Sequence, residues 1–398
     1  MSEIRISKTL ILLFLALCLS LDAYQTEPDT SRIIDQEIAR LKDEIIKTRR
    51  FIHMNPELGN REFETGRLVA SKLMALGFDV RTGVPFQSLN PGVMHACGHD
   101  IHTTVVLGTA MVMHSLKNRL KGNIKFIFQP AEEGPPQGEE GGAELMIEEG
   151  VLENPPLSAI FGLHVMPFDV GRIQFSPGAI MASPTWFEII IKGQSAHGAR
   201  PHEGKDAIAL AAQVILSIQT IVSRNIDATD PAVVSIGKIE GGSRSNIVAE
   251  EVRLEGTIRT LSETNRETIL NQMENVIKGI THAFGADYTF RYSGSTPPLY
   301  NHPELSKVML PYLFRVVGES FVDPVVPLMV SEDFACFCQK IPCFFFFLGV
   351  KPPESDKIAP LHSPEFNPDE RSIPLGIRVM SHLLFHALEY QNHSENPS

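Results

Sequence analysis

Basic residues and tryptophan are scarce in this chain of 398 residues. There is 1 tryptophan, and 35 lysines and arginines stand against 47 aspartates and glutamates, which gives a formal net charge of −12. This acidic balance, without a basic stripe, argues against nucleic acid as a partner. The composition is otherwise that of a globular protein, 43% hydrophobic and 21% charged, and the chain is long enough for two domains.

Long apolar runs are also scarce. The run from Leu10 to Leu21 follows Arg5 and Lys8, is too short for an ordinary membrane helix, and is typical of an export signal. We expect a signal peptide over residues 1–23, with an uncleaved anchor as the alternative. No later segment is expected to span a bilayer. The sequence therefore predicts an exported protein without a stable transmembrane domain.

The chain has only 5 cysteines. Cys336, Cys338 and Cys343 lie together beside an apolar run near the C-terminus. We interpret them as buried small residues of a core strand rather than as a second metal site, and a disulfide among them stays open.

The remaining cysteine of interest lies in the polar stretch from Met94 to His102, which contains a thiol, three imidazoles and a carboxylate. Cys97 and His99 are two positions apart, so both can face one point. Apolar residues with helical spacing follow, which places the stretch at a helix N-terminus, where a thiolate is favoured. Thiolate and neutral imidazole are the ligands that a zinc-like ion prefers. A metal site is favoured over a polar loop of unrelated role.

Further candidate ligands follow predicted strands. The β-favouring segment Asn123 to Pro130 precedes two adjacent carboxylates, Glu132 and Glu133, and a short apolar strand ends at His164. One carboxylate can bind a metal while the other acts on a water. A solvated carboxylate pair and a packed histidine are the alternatives. With His362 from a late loop, one sheet can gather enough ligands for two divalent ions.

The pattern of elements changes in the middle of the chain. Residues 183–294 read as β-α-β-β-α-β, which suits a ferredoxin-like α+β unit. Residues 24–182 and 295–398 have the pattern of an α/β domain. The predicted fold is therefore α/β, with a discontinuous mixed-sheet domain covered by helices on both faces and an inserted ferredoxin-like domain.

Several motifs occur in the order found in one enzyme family. The chain resembles the co-catalytic metallo-amidohydrolases related to aminoacylase, in the branch with hippurate hydrolase, N-acetyl-diaminopimelate deacetylase and the plant auxin-conjugate hydrolases. The motifs are Arg50-Phe51-Ile52-His53-Met54-Asn55-Pro56-Glu57-Leu58, Met94-His95-Ala96-Cys97-Gly98-His99-Asp100, Phe128-Gln129-Pro130-Ala131-Glu132-Glu133-Gly134, Gly162-Leu163-His164, Ser195-Ala196-His197-Gly198-Ala199-Arg200-Pro201, Gly256-Thr257-Ile258-Arg259-Thr260, Ser331-Glu332-Asp333-Phe334 and Leu361-His362-Ser363-Pro364.

The resemblance implies a catalytic domain (24–182 and 295–398) that binds two divalent metal ions, Zn or Mn, with Co or Ni as alternatives. It implies that Glu132 is the general base that takes a proton from a metal-activated water and passes it to the leaving amine. The implied metal ligands are Cys97, His99, Glu133, His164 and His362.

The resemblance also assigns a role to the inserted domain (183–294) as a lid that forms a homodimer. His197 matches a lid residue that stabilises the tetrahedral oxyanion, often across the dimer interface, with an ordinary loop histidine as the alternative. Asn246 and Arg259 match lid positions that hold the substrate's carboxylate or neighbouring structure. The implied substrate is a small N-acyl amino acid or a similar amide conjugate.

The chain departs from the family pattern at one point. Relatives carry further strands before the polar stretch, whereas here Val84 runs directly into Pro85, which reads as an internal deletion of more than one core strand. It would remove an aspartate that lies beside the metals in relatives. Three hypotheses follow: a two-metal amide hydrolase, a non-catalytic relative that keeps the fold and binds metal or ligand, and, ranked last, a thiol hydrolase that uses Cys97.

Overall fold

The computed structural model of the protein describes residues 28–80, 97–134, 136, 139–294 and 296–395. The predicted signal peptide and the predicted deletion at Val84–Pro85 lie outside these residues. Export and the deletion therefore stay predictions.

Helices occur along the whole described chain. They are α1 (Pro28–Met54), α2 (Phe63–Ala75), α3 (His99–Ser115), α4 (Gly142–Glu148), α5 (Ala207–Asn225), α6 (Glu263–Ala283), α7 (Pro303–Val317), α8 (Ala335–Cys338) and α9 (Ser372–Glu395).

Strands begin after α4. They are β1 (Ile160–Asp169), β2 (Ile173–Gln174), β3 (Gly178–Met181), β4 (Ser183–Lys192), β5 (Ala196–His197), β6 (Ala232–Gly241), β7 (Ile247–Val248), β8 (Glu251–Thr260), β9 (Asp287–Ser293), β10 (Leu299–Asn301), β11 (Val322–Asp323) and β12 (Cys343–Lys351).

The first sheet has the strand order β1-β12-β2-β11, with β1 and β12 parallel. All residues of β12 except Lys351 are buried, as expected for a strand covered on both faces. The main hydrophobic cluster joins this sheet to α1, α3, α7 and α9. A smaller cluster joins it to α4 and α8. The predicted mixed sheet with helices on both faces is confirmed.

The second sheet is antiparallel, with the order β6-β8-β4-β9. Helices α5 and α6 bury their apolar stripes against it and share a separate hydrophobic cluster with it. In chain order this is β-α-β-β-α-β with the first and third strands in the centre, which is the ferredoxin-like arrangement. The predicted α/β class with an inserted α+β unit is confirmed, while the exact domain boundaries stay predictions.

The predicted strand from Asn123 to Pro130 is not paired with any of the described strands. Its side chains still alternate between two hydrophobic clusters. Ile124, Phe126 and Phe128 pack on the main cluster, and Ile127 packs on the smaller one. The apolar pattern therefore predicted an extended, half-buried chain correctly. It could not predict a ladder, which needs a neighbouring strand to supply hydrogen-bond partners.

One apolar helix and one group of cysteines bear on the expectations from the sequence. Helix α5 is long and apolar enough to cross a membrane by length and composition. It instead covers the second sheet with Leu210, Val214 and Ile218, which are buried in that sheet's cluster. In the C-terminal region, only Cys343 lies in a core strand, β12, whereas Cys336 and Cys338 lie in α8, so the expectation of one core strand for all three cysteines is wrong. The disulfide that the sequence left open joins Cys338 to Cys343, and Cys336 is a buried free thiol.

Candidate metal centre

The N-terminus of α3 presents Cys97 and His99 to the same point. Gly98, between them, has a φ of 88°, and a Cβ at this position would lie 2.3 Å from Cγ2 of Val165. Only glycine combines this conformation with so close an approach to β1. The predicted position of the polar stretch at a helix N-terminus is confirmed.

Strand β1 contributes His164. Its Nδ1 lies 2.6 Å from the carbonyl oxygen of Val165, which directs Nε2 towards the Cys97 sulfur at 3.4 Å. Burial, and then the nearby His99, lower the pKa of His164 to about 4. The ring is therefore neutral at physiological pH, which is the form that binds a metal.

Glu132 and Glu133 approach the same point from the other side. Oε2 of Glu132 lies 3.2 Å from Nε2 of His99, and Oε1 of Glu133 lies 3.1 Å from Nε2 of His362. His362 has a φ of 66°, a left-handed conformation that is rare for histidine, and its Nε2 lies 3.2 Å from the Cys97 sulfur. All six residues predicted to form the centre are therefore brought together.

Two groups of donor atoms share Cys97, and a third group, formed by His99, Glu132 and Glu133, overlaps both of them. Of the two clusters that share Cys97, one contains Cys97, His99 and His164, and the other contains Cys97, Glu133 and His362, with the atoms of each within 4.8 Å of one another. Two ligands of one tetrahedral zinc ion lie about 3.5 Å apart, given the usual metal–ligand bond lengths. The Cys97–His164 and Cys97–His362 separations of 3.4 and 3.2 Å are close to this value.

Two buried polar atoms also fit a bound cation. His99 Nε2 and Glu132 Oε2 are both buried, and apart from their 3.2 Å contact with each other neither has a hydrogen-bond partner in the described structure. Unsatisfied buried polar atoms are costly unless something else pairs with them. A divalent cation would satisfy the imidazole nitrogen and stabilise the neighbouring carboxylate.

The expectation that the helix N-terminus alone favours a Cys97 thiolate is wrong. Burial, and then the carboxylate of Glu133, raise the pKa of the Cys97 thiol far above its ordinary value. The helix dipole acts in the opposite direction, but it is weaker than the loss of hydration next to two glutamates. Protein groups alone therefore keep the thiol protonated, and a bound cation is what would release the proton.

A third carboxyl group lies behind the paired glutamates and was not assigned a role from sequence. Carboxyl oxygens of Glu132, Glu332 and Asp333 lie within 4.8 Å of one another. Burial, and then the charge of Glu132, raise the pKa of Glu332 well above its ordinary value. For Glu132, burial opposes ionisation, but the adjacent His99 outweighs it and lowers the pKa. These opposite shifts favour the ionised form of Glu132 and the protonated form of Glu332.

A buried ionic network supports the first turn of α3. Asp100 has a fully buried side chain, 2.8 Å from Nε of Arg49 and 2.9 Å from Nδ1 of His53. Arg49 also lies 3.2 Å from Glu370. The sequence indicated part of this network, because Asp100 and His53 belong to the family motifs. It did not indicate that two segments far apart in the chain pair with each other.

The three residues predicted in the second sheet region lie apart from these clusters. His197 is in β5, paired with Ile247 of β7, and Asn246 accepts a hydrogen bond of 2.8 Å from the Gly198 amide. Arg259 is in β8, with its guanidinium 5.7 Å from the Trp186 ring. In the described part of the chain, none of the three belongs to a group of donor atoms that could hold a metal. Their catalytic roles stay predictions.

Comparison with known proteins identifies the family of the chain. Residues 77–386 match the model of Peptidase family M20/M25/M40. N-acetyldiaminopimelate deacetylase of Bacillus subtilis is 34% identical over 379 residues, covering 85% of this chain and 97% of the relative. Thermostable carboxypeptidase 2 of Saccharolobus solfataricus is 33% identical over 397 residues, covering 90% of this chain and 98% of the relative.

A solved structure shares the fold. The YXEP protein of Bacillus subtilis, described as a dinuclear metal-binding peptidase of the M20 family, superposes with a TM-score of 0.72 and 30% identity, covering 88% of this chain and 99% of that protein. The predicted resemblance and the predicted hydrolytic enzyme class are confirmed. The chain is a member of the peptidase family M20/M25/M40.

Proposed function

We propose that the protein hydrolyses the amide bond of small N-acyl amino acids or similar conjugates, with two divalent metal ions and Glu132 as the general base. The observation that carries the proposal is the pair of ligand clusters that share Cys97, with the ionised Glu132 carboxylate beside them. The M20 relatives include a deacetylase that acts on an N-acetyl amino acid and a dinuclear metal-binding peptidase.

Different residues of the site have different roles in the proposed reaction. Cys97, His99, Glu133, His164 and His362 would hold the two ions, which supply Lewis acidity and lower the pKa of the attacking water. Glu132 accepts the water's proton and passes it to the leaving amine. We propose that His197 stabilises the oxyanion and that Asn246 and Arg259 hold the substrate carboxylate once the lid is closed.

Export is part of the proposal. The Cys338–Cys343 disulfide suits an oxidising compartment, which supports the reading of residues 1–23 as a signal peptide. N-terminal sequencing of protein made in a secreting host is expected to begin at Tyr24. A mature chain that still begins at Met1 in the cytosol would contradict export.

The substrate proposal is tested with a panel of N-acetyl and N-benzoyl amino acids. We expect free amino acid to be released by protein loaded with Zn or Mn, and release to stop when a chelator removes the metal. Activity that survives complete metal removal would instead indicate a thiol hydrolase that uses Cys97.

The same substrate panel also distinguishes an active hydrolase from the non-catalytic relative. A folded protein that binds two ions per chain but releases no amino acid from any substrate would be the non-catalytic relative. The observation that favours this alternative is the extended segment from Asn123 to Pro130, which has no ladder partner among the described strands.

A further inference from the structure

The two glutamates of the centre lie at the corners of one tight turn. Ala131 begins the turn with a φ of 53°, and Gly134 closes it by donating a 3.1 Å hydrogen bond from its amide to the Ala131 carbonyl. A left-handed conformation costs an alanine roughly 1–2 kcal/mol. The direction of both carboxylates therefore depends on a backbone conformation that needs support from outside the turn.

That support comes from the loop between α1 and α2. The Ala131 amide donates a 2.9 Å hydrogen bond to Oε1 of Glu62. Gly59 of the same loop packs against the turn, since a Cβ on it would lie 3.3 Å from the Gly134 carbonyl oxygen and 3.4 Å from the Ala131 Cβ. Glu62 therefore pairs with the amide of the strained residue, and the loop lies directly on the turn.

The same loop also holds the chain that follows the turn. Asn60 donates a 2.8 Å hydrogen bond from Nδ2 to the Glu140 carbonyl, and Nη1 of Arg61 lies 2.9 Å from Oε2 of Glu139. The Arg61–Glu139 pair is exposed, so its contribution to stability is small. Three successive residues, Asn60 to Glu62, thus contact both sides of the segment that carries Glu132 and Glu133.

A second anchor lies on the opposite side. Asp333 accepts hydrogen bonds from Nε2 of Gln129 at 2.6 Å and from the Ala143 amide at 2.8 Å. These contacts hold the ends of the segment but not the turn itself. Loss of the Glu62 contact should therefore let the turn relax without unfolding the surrounding chain.

We propose that Glu62 is a positioning residue, which fixes the direction of Glu132 and Glu133 through its hydrogen bond to the Ala131 amide. The inference rests on the proposed function, because it concerns the orientation of the proposed general base, Glu132, and of one proposed metal ligand, Glu133. A displacement of about 1 Å at a catalytic group can lower the rate by about 10²-fold. Glu62 would influence the reaction to that degree without contacting the substrate.

The test compares Glu62→Met, which removes the acceptor, with Glu62→Gln, which keeps an oxygen at the same place. For Glu62→Met we expect kcat to fall by about 10- to 100-fold with KM changed less than about threefold, and for Glu62→Gln we expect kcat within about threefold of wild type. Glu57→Ala is the matched control. Glu57 lies in the same loop, but its carboxylate accepts hydrogen bonds from the amides of Glu64 and Thr65 and so supports α2 instead.

A second measurement is independent of turnover. In the Co(II)-loaded protein, the absorption of the Cys97 thiolate–cobalt pair and of the cobalt ions reports the ligand geometry. We expect two cobalt ions in every variant, with an altered spectrum for Glu62→Met and a wild-type spectrum for Glu62→Gln and Glu57→Ala.

Three results would overturn the positioning role. They are a wild-type kcat and spectrum for Glu62→Met, an equal loss in Glu62→Gln and Glu62→Met, and an equal loss of kcat in Glu57→Ala. If the wild-type protein hydrolyses none of the panel, the proposed function fails while the cobalt spectra still decide whether Glu62 sets the geometry of the centre.

Discussion

Cys97 illustrates how the surroundings of one residue determine its chemistry. The same thiol belongs to both ligand clusters, and burial beside Glu133 raises its pKa. A free thiolate nucleophile is therefore disfavoured at neutral pH, whereas a metal ligand is favoured once a cation supplies positive charge. This is the physical reason for ranking a metal-dependent hydrolase above a thiol hydrolase.

A buried histidine outside the centre predicts how stability depends on pH. His382 of α9 is 5% exposed, and burial, and then the adjacent His386, lower its pKa to about 4 from an ordinary value of 6.5. Arg378 and Arg315 also lower the pKa and Asp35 raises it. Between pH 6.5 and 4 the unfolded chain binds more protons at this position than the native chain. Stability therefore falls as the pH is lowered through this window.

The expected loss from His382 across the window is of the order of 3 kcal/mol in the free energy of unfolding, based on the shift from 6.5 to about 4. Denaturant unfolding at several pH values, with the wild-type protein and the His382→Gln variant compared under the same conditions, measures it, because the contribution of the metal centre is the same in both. The His382→Gln variant, which cannot titrate, should show a flatter pH dependence over the same range. An unchanged slope in that variant would contradict the assignment.

The site residues that belong to short sequence motifs could be predicted from the sequence. Residues whose contacts join distant parts of the chain could not. The six residues of the centre were grouped from sequence because each was predicted to lie at the end of a strand or the start of a helix. The structure brings them together, although His164 lies within β1 and His362 lies in a loop. Glu62 contacts an amide 69 positions away, and Asp333 contacts one 190 positions away. Periodicity and spacing carry no information about such pairs, which only the packed structure shows.

At the scale of elements, apolar periodicity predicted the helices and most strands, because each buries a stripe or a face. The failure at Asn123–Pro130 has a different cause. A strand is completed by hydrogen bonds to its neighbour, and none of the described strands pairs with this segment. The apolar pattern of one segment does not show whether a second strand lies beside it.

The exposed face of α5 predicts how two copies of the chain associate. Ile208 and Leu216 are 50% and 71% exposed on this helix, and Ile239 is 57% exposed on the edge strand β6. Unpaired strand edges and apolar patches of this kind are typical of interfaces. We therefore expect a homodimer formed through the second sheet and α5, as the family resemblance implies.

Light scattering coupled to gel filtration measures the oligomeric state. Leu216→Glu should shift a wild-type dimer to monomer while the circular dichroism spectrum is kept. Val326→Glu, which changes an equally apolar and more exposed side chain in the other part of the fold, should leave the dimer intact. A monomeric wild-type protein, or a dimer that survives Leu216→Glu, would rule out this interface.

At the scale of the whole molecule, a sheet of four strands and its helices bring ligands from four separate segments to one point. Cys97 and His99 begin α3, Glu133 lies in a turn, His164 lies on β1 and His362 in a late loop. This gathering does not depend on the segment predicted to be missing at Val84–Pro85. We therefore expect metal binding to be retained, whereas catalysis is the property that the predicted deletion would affect.

The most direct measurement compares turnover and metal content in Glu132→Gln and Glu133→Gln. Glu132→Gln leaves all five predicted metal ligands in place, so it should keep two ions per chain and lose about 10²- to 10⁴-fold in kcat. Glu133 is one of these ligands, so Glu133→Gln should lose metal together with turnover. An active Glu132→Gln protein, or one whose activity and metal disappear together, would contradict a two-metal hydrolase in which Glu132 is the base.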